Sequence, residues 1–281
     1  MSKDRRKRHA SDYSSRTQRK NNSVQAANRK FQSLGGEQIE GRHAVREILI
    51  AGKRRVREIV VVADSDLSPV MEDIVSLAGE SKISVRELPR SRFAKIVRTE
   101  APQGVVAFVD PLTEYDIDEL LIDDSLGRNP FLLVFDGVTD PGNLGAVLRS
   151  AECAGVTGVV LSRHRSVGIT PTVAKAAAGA IEHIRFTRVA GIPSAIDRLS
   201  KAGVWTVGLD TGGSTSIYKF NAEDRPLALV LGAEGKGLSR LVRERCDDLV
   251  HIPLNGVLPS LNVSAAAAVA LFEVVKQKSL S

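Results

Sequence analysis

The sequence predicts an α/β protein with a mostly parallel sheet, preceded by a smaller α/β unit and a basic tail. Three observations carry this prediction. Short apolar strands alternate with helices from residue 131 onwards, a pattern typical of parallel sheets covered on both faces. A shorter alternation of helices and strands occupies residues 37–110. Positive charge is concentrated in residues 1–36.

The tail explains the basic character of the whole chain. Residues 1–36 carry ten Lys/Arg and two acids, a net charge of +8, whereas the full 281 residues carry +6. A segment so charged, and rich in Ser, Asn and Gln, cannot bury a core, so we expect it to be disordered. We interpret it as an electrostatic arm for a polyanion, most simply RNA. The alternative is a solubilising tail with no partner.

Residues 37–111 form the first predicted folded unit. Its predicted helices are 43–52, 69–82 and 91–99, and its predicted strands are 56–64, the stretch ISVRELP, and 104–110. The acidic stretch 113–126, followed by Gly127 and Pro130, has the composition of a linker. We therefore assign 112–129 to the linker and 130–281 to the second unit.

The second unit is where we expect a ligand. Its predicted strands are 131–138, 158–162, 204–210, 227–234 and 249–254, with helices between them and a final helix from Val263. In parallel sheets ligands bind beyond the carboxyl ends of the strands. The informative loops are therefore the ones that follow Phe135, Val160, Leu209, Leu231 and Ile252.

Composition excludes several classes of protein. Two cysteines, Cys153 and Cys246, are too few for a disulfide scaffold or a four-cysteine zinc site, and they fit a reducing compartment. The longest apolar run, Val263 to Phe272, ends at Glu273, short of the roughly 20 residues that a membrane span needs. No apolar segment follows the basic N-terminus, so a secretory signal is not expected.

Three loops carry the polar residues that chemistry could use. In DGVTDPGNLGAVLRSAECAG (136–155), Asn143 either caps a helix or belongs to a site, and Arg149 lies on a helix that is apolar on most sides, which favours a partner over a solvated position. The second loop, GAEGKG (232–237), is either a turn or a binding loop in which glycines admit a ligand to the backbone around Glu234.

The third loop precedes an unusually small helix, with Ala265 to Ala268 in a row. Ser260 and Asn262 stand just before it, and either they cap a closely packed helix or they belong to a site. Together the loops lack metal-ligand spacing, a nucleophile elbow and phosphate-transfer motifs. What remains suits an adenosine-like cofactor held by main-chain hydrogen bonds, with an arginine on an anion.

The same three stretches resemble a known family. DGVTDPGNLGAVLRSAECAGV (136–156), LALVLGAEGKGLSRL (227–241) and HIPLNGVLPSLNVSAAAAVALFE (251–273) are similar to the three motifs of the SpoU (TrmH-like) RNA ribose 2′-O-methyltransferases of the SPOUT superfamily. IEGRHAVREILIAG (39–52) resembles the start of that family's substrate-binding domain, which is similar to ribosomal protein L30e. The resemblance covers residues 37–280 and is strongest to the 23S rRNA guanosine-2′-O-methyltransferase type.

The resemblance implies a fold, a cofactor and an assembly. The family fold contains a deep C-terminal trefoil knot, a rare exception to the rules of chain topology, that binds S-adenosylmethionine. Carried over by motif position, the backbone of Gly232, Ile252 and Leu261 lines the cofactor. Family members are homodimers in which first-motif residues of one chain lie near the partner's cofactor. The residues that the motifs place in the active site are Asn143, Arg149, Glu234, Ser260 and Asn262.

The implied reaction moves a methyl group from a sulfonium to a ribose 2′-hydroxyl and needs no metal. A guanidinium stays protonated, so we interpret Arg149 as a phosphate and alkoxide ligand rather than as the base. The expected function is cytoplasmic methylation of a guanosine in 23S rRNA, with RNA held by the tail and by residues 37–111. The alternatives are a tRNA 2′-O-methyltransferase and a non-catalytic RNA-binding factor for ribosome assembly.

Overall fold

The computed structural model describes residues 34–63, 68–122, 127, 129–164, 166–222 and 225–280. Residues 1–33 of the predicted tail and part of the predicted linker lie outside these ranges. Residues 35–281 group into one compact unit, built on two sheets.

The first sheet has four strands. Its elements are β1 (Gln38–Glu40), α1 (Arg42–Ala51), β2 (Val56–Val62), α2 (Pro69–Glu80), β3 (Val85–Leu88), α3 (Arg90–Phe93) and β4 (Val105–Val109). The strand order is β1-β4-β2-β3, with β2 and β3 parallel and β4 antiparallel to both of its neighbours. The helix predicted over 91–99 is confined to α3, because the chain turns to run beneath two side chains of β1.

The second sheet has seven strands and positions the site. Its strands are β5 (Phe131–Asp136), β6 (Gly158–Ser162), β7 (Arg185–Val189), β8 (Trp205–Leu209), β9 (Thr215–Ser216), β10 (Leu227–Gly232) and β11 (Asp248–His251). The order is β7-β6-β5-β10-β8-β11-β9, and every pair is parallel. The predicted parallel sheet is confirmed, and β5 and β10 lie side by side at its centre.

Helices cover both faces of this sheet. They are α4 (Pro141–Cys153), α5 (Pro171–Ala176), α6 (Ile192–Lys201), α7 (Arg240–Arg245) and α8 (Val263–Leu280). Strand β7 and helix α6 had no counterpart in the sequence prediction. The central strands are fully buried, because apolar side chains of β5 and β10 pack on α6 on one face of the sheet.

The first half of the predicted linker is packed rather than extended. A short 3-10 helix spans Ile117–Leu121, and both Ile117 and Leu120 are buried in the core of the seven-stranded sheet. The backbone N–H of Tyr115 donates to the carbonyl of Phe186 on β7. Residues 123–126 and 128 lie outside the described part. The acidic composition of this stretch concealed its two buried apolar residues.

A buried ion pair joins the two sheets. Arg54, which follows α1, donates from Nε and Nη2 to the carboxylate of Glu182, which precedes β7, and its Nη1 donates to the carbonyls of Gly36 and Asp110. The side chains of Arg54 and Glu182 are 6% and 2% exposed. Such a pair is costly to break, because either partner alone would be a buried, unpaired charge.

The described helices include none with both the length and the apolar composition for crossing a membrane.

Candidate active site

Three polar side chains from the three predicted loops meet at the carboxyl edge of the seven-stranded sheet. Asn143 Nδ2 donates to Glu234 Oε2 at 3.0 Å, and Asn262 Nδ2 donates to Asn143 Oδ1 at 3.0 Å and to Glu234 Oε1 at 3.4 Å. The three side chains therefore form a closed hydrogen-bonded triangle. Both oxygens of the Glu234 carboxylate accept from amide groups, which fixes the orientation of the carboxylate.

Helix α4 places Asn143 in this triangle without using it as a cap. The capping residue is Asp140, whose carboxylate accepts from the backbone N–H of Asn143 at 2.6 Å, and Pro141 begins the helix. The interpretation of Asn143 as the N-cap is therefore wrong. Its side chain is left free for Glu234 and Asn262.

Asn262 has two roles at once. Its Oδ1 accepts from the backbone N–H of Ser264 at 2.8 Å and from the Ser264 hydroxyl at 2.5 Å, which caps α8. Its Nδ2 is the donor to Asn143 and Glu234. The amide thus needs its oxygen toward the helix and its nitrogen toward the triangle, so one side chain joins the cap of the small helix to the site.

A cavity of about 290 Å³ opens beside the triangle. All three predicted cofactor residues line it, Gly232 from β10, Ile252 after β11, and Leu261 before α8, together with Ser260 and Glu234. Glu234 therefore belongs both to the triangle and to the cavity wall. Ser260 is exposed and lines the cavity without reaching the triangle.

Gly232 is required by the tightness of the loop that follows it. A Cβ at this position would lie 2.1 Å from the carbonyl carbon of Gly237, because Ala233 and Gly237 exchange two backbone hydrogen bonds of 3.1 and 2.8 Å. The loop folds back over the end of β10 and leaves no room for a side chain. GAEGKG is consequently both a turn and a wall of the cavity.

Arg149 lies elsewhere in this chain. It is exposed and lines a separate cleft of about 320 Å³ with His43, Glu47 and His183, and its side chain makes no hydrogen bond or ion pair with the described residues. The prediction that Arg149 meets the other polar residues within one chain is therefore wrong. Six helical residues separate it from Asn143, about 9 Å along the axis and about two-thirds of a turn around it.

Sequence reasoning missed a charged pair in the cavity wall. Asp210, which follows β8, accepts two hydrogen bonds from Arg243 Nη2 at 2.9 and 2.7 Å, and its carboxylate is nearly fully buried. It also accepts from the backbone N–H of Gly212 at 2.8 Å. The loop after Leu209 was expected to be informative, but a lone Asp in a glycine-rich loop gave no sign of a partner 33 residues away.

Neither cysteine is placed to act as a nucleophile in this cavity. Burial raises the pKa of Cys246 to about 12, with a further contribution from the carboxylates of Asp247 and Asp136. A thiol with such a pKa stays protonated at neutral pH. Cys153 is exposed and lines the Arg149 cleft rather than the cavity.

The fold and the site together define a class: a parallel α/β protein with a ligand cavity and a polar triangle at the carboxyl edge of its sheet. Two family descriptions match the chain. Residues 130–272 match the SpoU rRNA Methylase family, and residues 38–115 match the RNA 2′-O ribose methyltransferase substrate-binding domain.

Two named relatives are similar in sequence to this chain over most of its length. A Haemophilus ducreyi protein named 23S rRNA (guanosine-2′-O-)-methyltransferase RlmB is 41% identical over 249 residues, 86% of this chain and 98% of that protein. A Pseudomonas putida protein of the same name is 39% identical over 247 residues, 87% of this chain and 98% of that protein.

Solved structures share the architecture. The crystal structure of an RNA 2′-O ribose methyltransferase superposes with a TM-score of 0.69 at 26% identity, covering 85% of this chain and 88% of that one. AviRb of Streptomyces viridochromogenes, a SpoU methyltransferase solved in complex with AdoMet, reaches 0.72 at 23% identity, covering 87% and 91%, and supports the fold alone. The chain belongs to the SpoU rRNA methylase family.

Proposed function

We propose that this protein transfers the methyl group of S-adenosylmethionine to the ribose 2′-hydroxyl of a guanosine in 23S rRNA. The relatives named for this reaction are about 40% identical and are covered almost completely by this chain. The observation that carries the proposal is the sharing of Glu234 between the hydrogen-bonded triangle and the cavity wall. A bound cofactor would thus lie directly beside oriented polar groups.

The cavity fits a nucleoside-like cofactor. Its volume of about 290 Å³ is close to the lower end of the range of roughly 300–1,000 Å³ typical of small-molecule sites. Its walls combine the close-packed backbone at Gly232 with the apolar side chains of Ile252 and Leu261 and with the charged pair Asp210–Arg243. When bound, S-adenosylmethionine supplies an activated methyl group on sulfur.

The residues of this chain then have to orient the ribose 2′-hydroxyl and stabilise the negative charge that develops on its oxygen. The triangle is rigid, since Asn262 is tied to α8 and Asn143 to α4, so Glu234 offers a carboxylate with a fixed direction. Such positioning can lower the barrier by several kcal/mol, about 7–11 in well-oriented intramolecular reactions. Ser260 adds a hydroxyl at the mouth of the cavity.

We propose that Arg149 acts in the cavity of a second chain in a homodimer. Two observations support this: Arg149 lines a different cleft in its own chain, and apolar side chains near the cavity are exposed, with Val257 at 102%, Leu258 at 77% and Leu261 at 41%. A second copy would cover these residues. The guanidinium would then hold a phosphate of the RNA and stabilise the developing alkoxide.

The disordered arm expected over 1–36 is too long at its end, because the Gly36 N–H donates to the Ile169 carbonyl and the Gly36 carbonyl accepts from Arg54. We propose the division 1–33 disordered arm, 37–111 L30e-like RNA-binding domain, 112–129 linker, and 130–281 methyltransferase domain with a trefoil knot. The four-stranded sheet, confined to residues 38–109, supports the second assignment. Gln277 accepts from the Ala222 N–H at 2.8 Å and donates to the Ile217 carbonyl, which holds the end of α8 against an earlier loop. The knot is proposed from the family resemblance. We place the reaction in the cytoplasm, where ribosomal RNA would be the partner.

A transfer assay with radiolabelled S-adenosylmethionine tests the function. Purified full-length protein would be offered 23S rRNA, 16S rRNA and bulk tRNA in parallel. We expect label in 23S rRNA, released after digestion as 2′-O-methylguanosine. Label in tRNA would move the substrate to tRNA, and cofactor binding without transfer to any of the three would favour the assembly-factor alternative.

A further inference from the structure

The surface that would hold RNA can be narrowed to one segment of the four-stranded unit. Residues 37–111 contain twelve Lys/Arg and twelve Asp/Glu, so their net charge is zero. Overall charge therefore gives this unit no affinity for a polyanion. Any attraction has to come from an uneven distribution of the charges over its surface.

Four of the nine arginines of this unit are paired with acids within the described residues. Arg46 pairs with Asp73 at 2.8 Å, Arg86 with Glu58 at 2.8 Å, and Arg57 with Asp110. Together with the buried Arg54, these side chains offer little free positive charge to a ligand.

The segment Arg90–Thr99 holds the largest group of unpaired cations in the described part of this unit. It carries four cations and no acid, namely Arg90, Arg92, Lys95 and Arg98. All four are exposed, and none of their side chains makes a hydrogen bond or ion pair within the part of the chain that the structure describes. Glu87 and Glu100 flank the segment without pairing to it. We call residues 90–98 the basic segment.

Two buried polar side chains of β1 hold this segment in place. Glu40 is fully buried, and its carboxylate accepts from the backbone N–H groups of Arg98 and Thr99 at 2.7 and 3.0 Å and from the Thr99 hydroxyl at 2.6 Å. Gln38 donates to the Ile96 carbonyl at 2.8 Å. Burying a carboxylate is costly unless it is fully hydrogen-bonded, and here the bonds fix the backbone of an exposed cationic stretch.

The strand that anchors the basic segment is linked to the active site through two packed helices. A Cβ on Gly41, which follows Glu40, would lie 3.5 Å from Cγ of Lys175 on α5. Helix α5 in turn packs on α4 at Gly145, where a Cβ would lie 2.5 Å from that of Ala176. Helix α4 carries Asn143. Lys175 therefore lies beside the end of β1, the strand that anchors the segment, on a helix that packs against the helix carrying Asn143.

We propose that the basic segment 90–98 is the docking surface for the phosphate backbone of the RNA substrate, held in register with the active site by Glu40. This inference rests on the proposed function for the identity of the RNA. Because the backbone of the segment is already fixed, only its side chains have to be ordered on binding, so a few phosphate contacts here would set the position of the RNA relative to the cavity.

The test compares two double variants of the full-length protein. Arg92→Ala/Lys95→Ala removes two cations from the segment, whereas Lys53→Ala/Arg55→Ala removes two exposed cations of the same unit that also lack partners among the described residues. Binding to a 23S rRNA transcript is measured without cofactor over a range of salt concentrations. We expect the first variant to bind about tenfold more weakly and to lower the slope of log K against log salt by about 1.5, and the control to change little. Equal losses in the two variants, or no loss in the first, would overturn the proposal.

A third variant separates position from charge. Glu40→Gln removes a negative charge, so electrostatics alone would strengthen RNA binding. If Glu40 holds the segment, the variant binds more weakly. A glutamine amide accepts only through its oxygen, and its NH2 group would face N–H or O–H donors of Arg98 or Thr99. Tighter binding would refute the positioning role. Cofactor titration of all three variants checks that the cavity is intact in each. If RNA binding depends on the segment but the wild type transfers no methyl group, the proposed function is contradicted and the docking surface is still supported.

Discussion

Asn262 offers a substitution series that separates folding from chemistry. Its oxygen caps α8 through Ser264, while its nitrogen donates to Asn143 and Glu234. Serine is as good a helix cap as asparagine but has no amide to reach the triangle. Asn262→Ser should therefore keep the helix and lose the site, whereas Asn262→Ala should lose both.

The magnitudes follow from these contacts. Loss of the cap in Asn262→Ala should cost about 1 kcal/mol, a fall in melting temperature of about 2–4 °C, whereas Asn262→Ser should melt within about 1 °C of the wild type. Both should lose about 100-fold in methyl transfer, the penalty typical of a misplaced catalytic group. Thr170→Ala, which removes the cap of α5, should lose stability while keeping its turnover.

Calorimetry and single-turnover transfer to 23S rRNA measure the two effects separately. If Asn262→Ser retained near-normal turnover, the asparagine would be a helix cap and nothing more. The triangle would then have no part in the reaction.

Three further predictions concern the cofactor, the arginine and the tail. Gly232→Ala, whose new Cβ would meet Gly237 at 2.1 Å, should weaken S-adenosylmethionine binding by more than about tenfold in calorimetric titration, while Gly191→Ala, with no atom within 4 Å of its Cβ, should not. Arg149→Lys keeps the charge but loses the planar fork, so turnover should fall while cofactor affinity is unchanged; full turnover would exclude a bidentate role. Deletion of residues 1–33 removes all ten cations of the tail but keeps Gly36 and its contact with Arg54. It should weaken RNA binding and flatten its salt dependence without affecting the cofactor, and an unchanged slope would refute the arm.

The sequence predicted the parts of the site that depend on local pattern and strand order. Alternating apolar strands indicated the parallel sheet, and placing Asn143, Glu234 and Asn262 in loops after three strands was enough to predict that they meet. Gly232, Ile252 and Leu261 came from the family resemblance, and the structure places all three in the wall of one cavity.

Most features that the sequence did not predict depend on contacts between residues far apart in the chain. The direction of Arg149 is an exception that could have been calculated, because six residues of helix rotate its side chain by about two-thirds of a turn from that of Asn143. The Asp210–Arg243 pair and the anchoring of the segment after α3 by Glu40 join residues more than 30 positions apart. Strand β7, RFTRV, mixes charged, polar and apolar residues and lacks the continuous apolar run of its neighbours.

We propose that this protein methylates a ribose in 23S rRNA. A map of 2′-O-methylation across ribosomal RNA, from cells with and without the gene and from cells that carry Asn262→Ser, tests this activity most directly. We predict that one guanosine of 23S rRNA loses its 2′-O-methyl group in the deletion and stays largely unmethylated with the variant. Unchanged methylation of 23S rRNA in both strains would contradict the account.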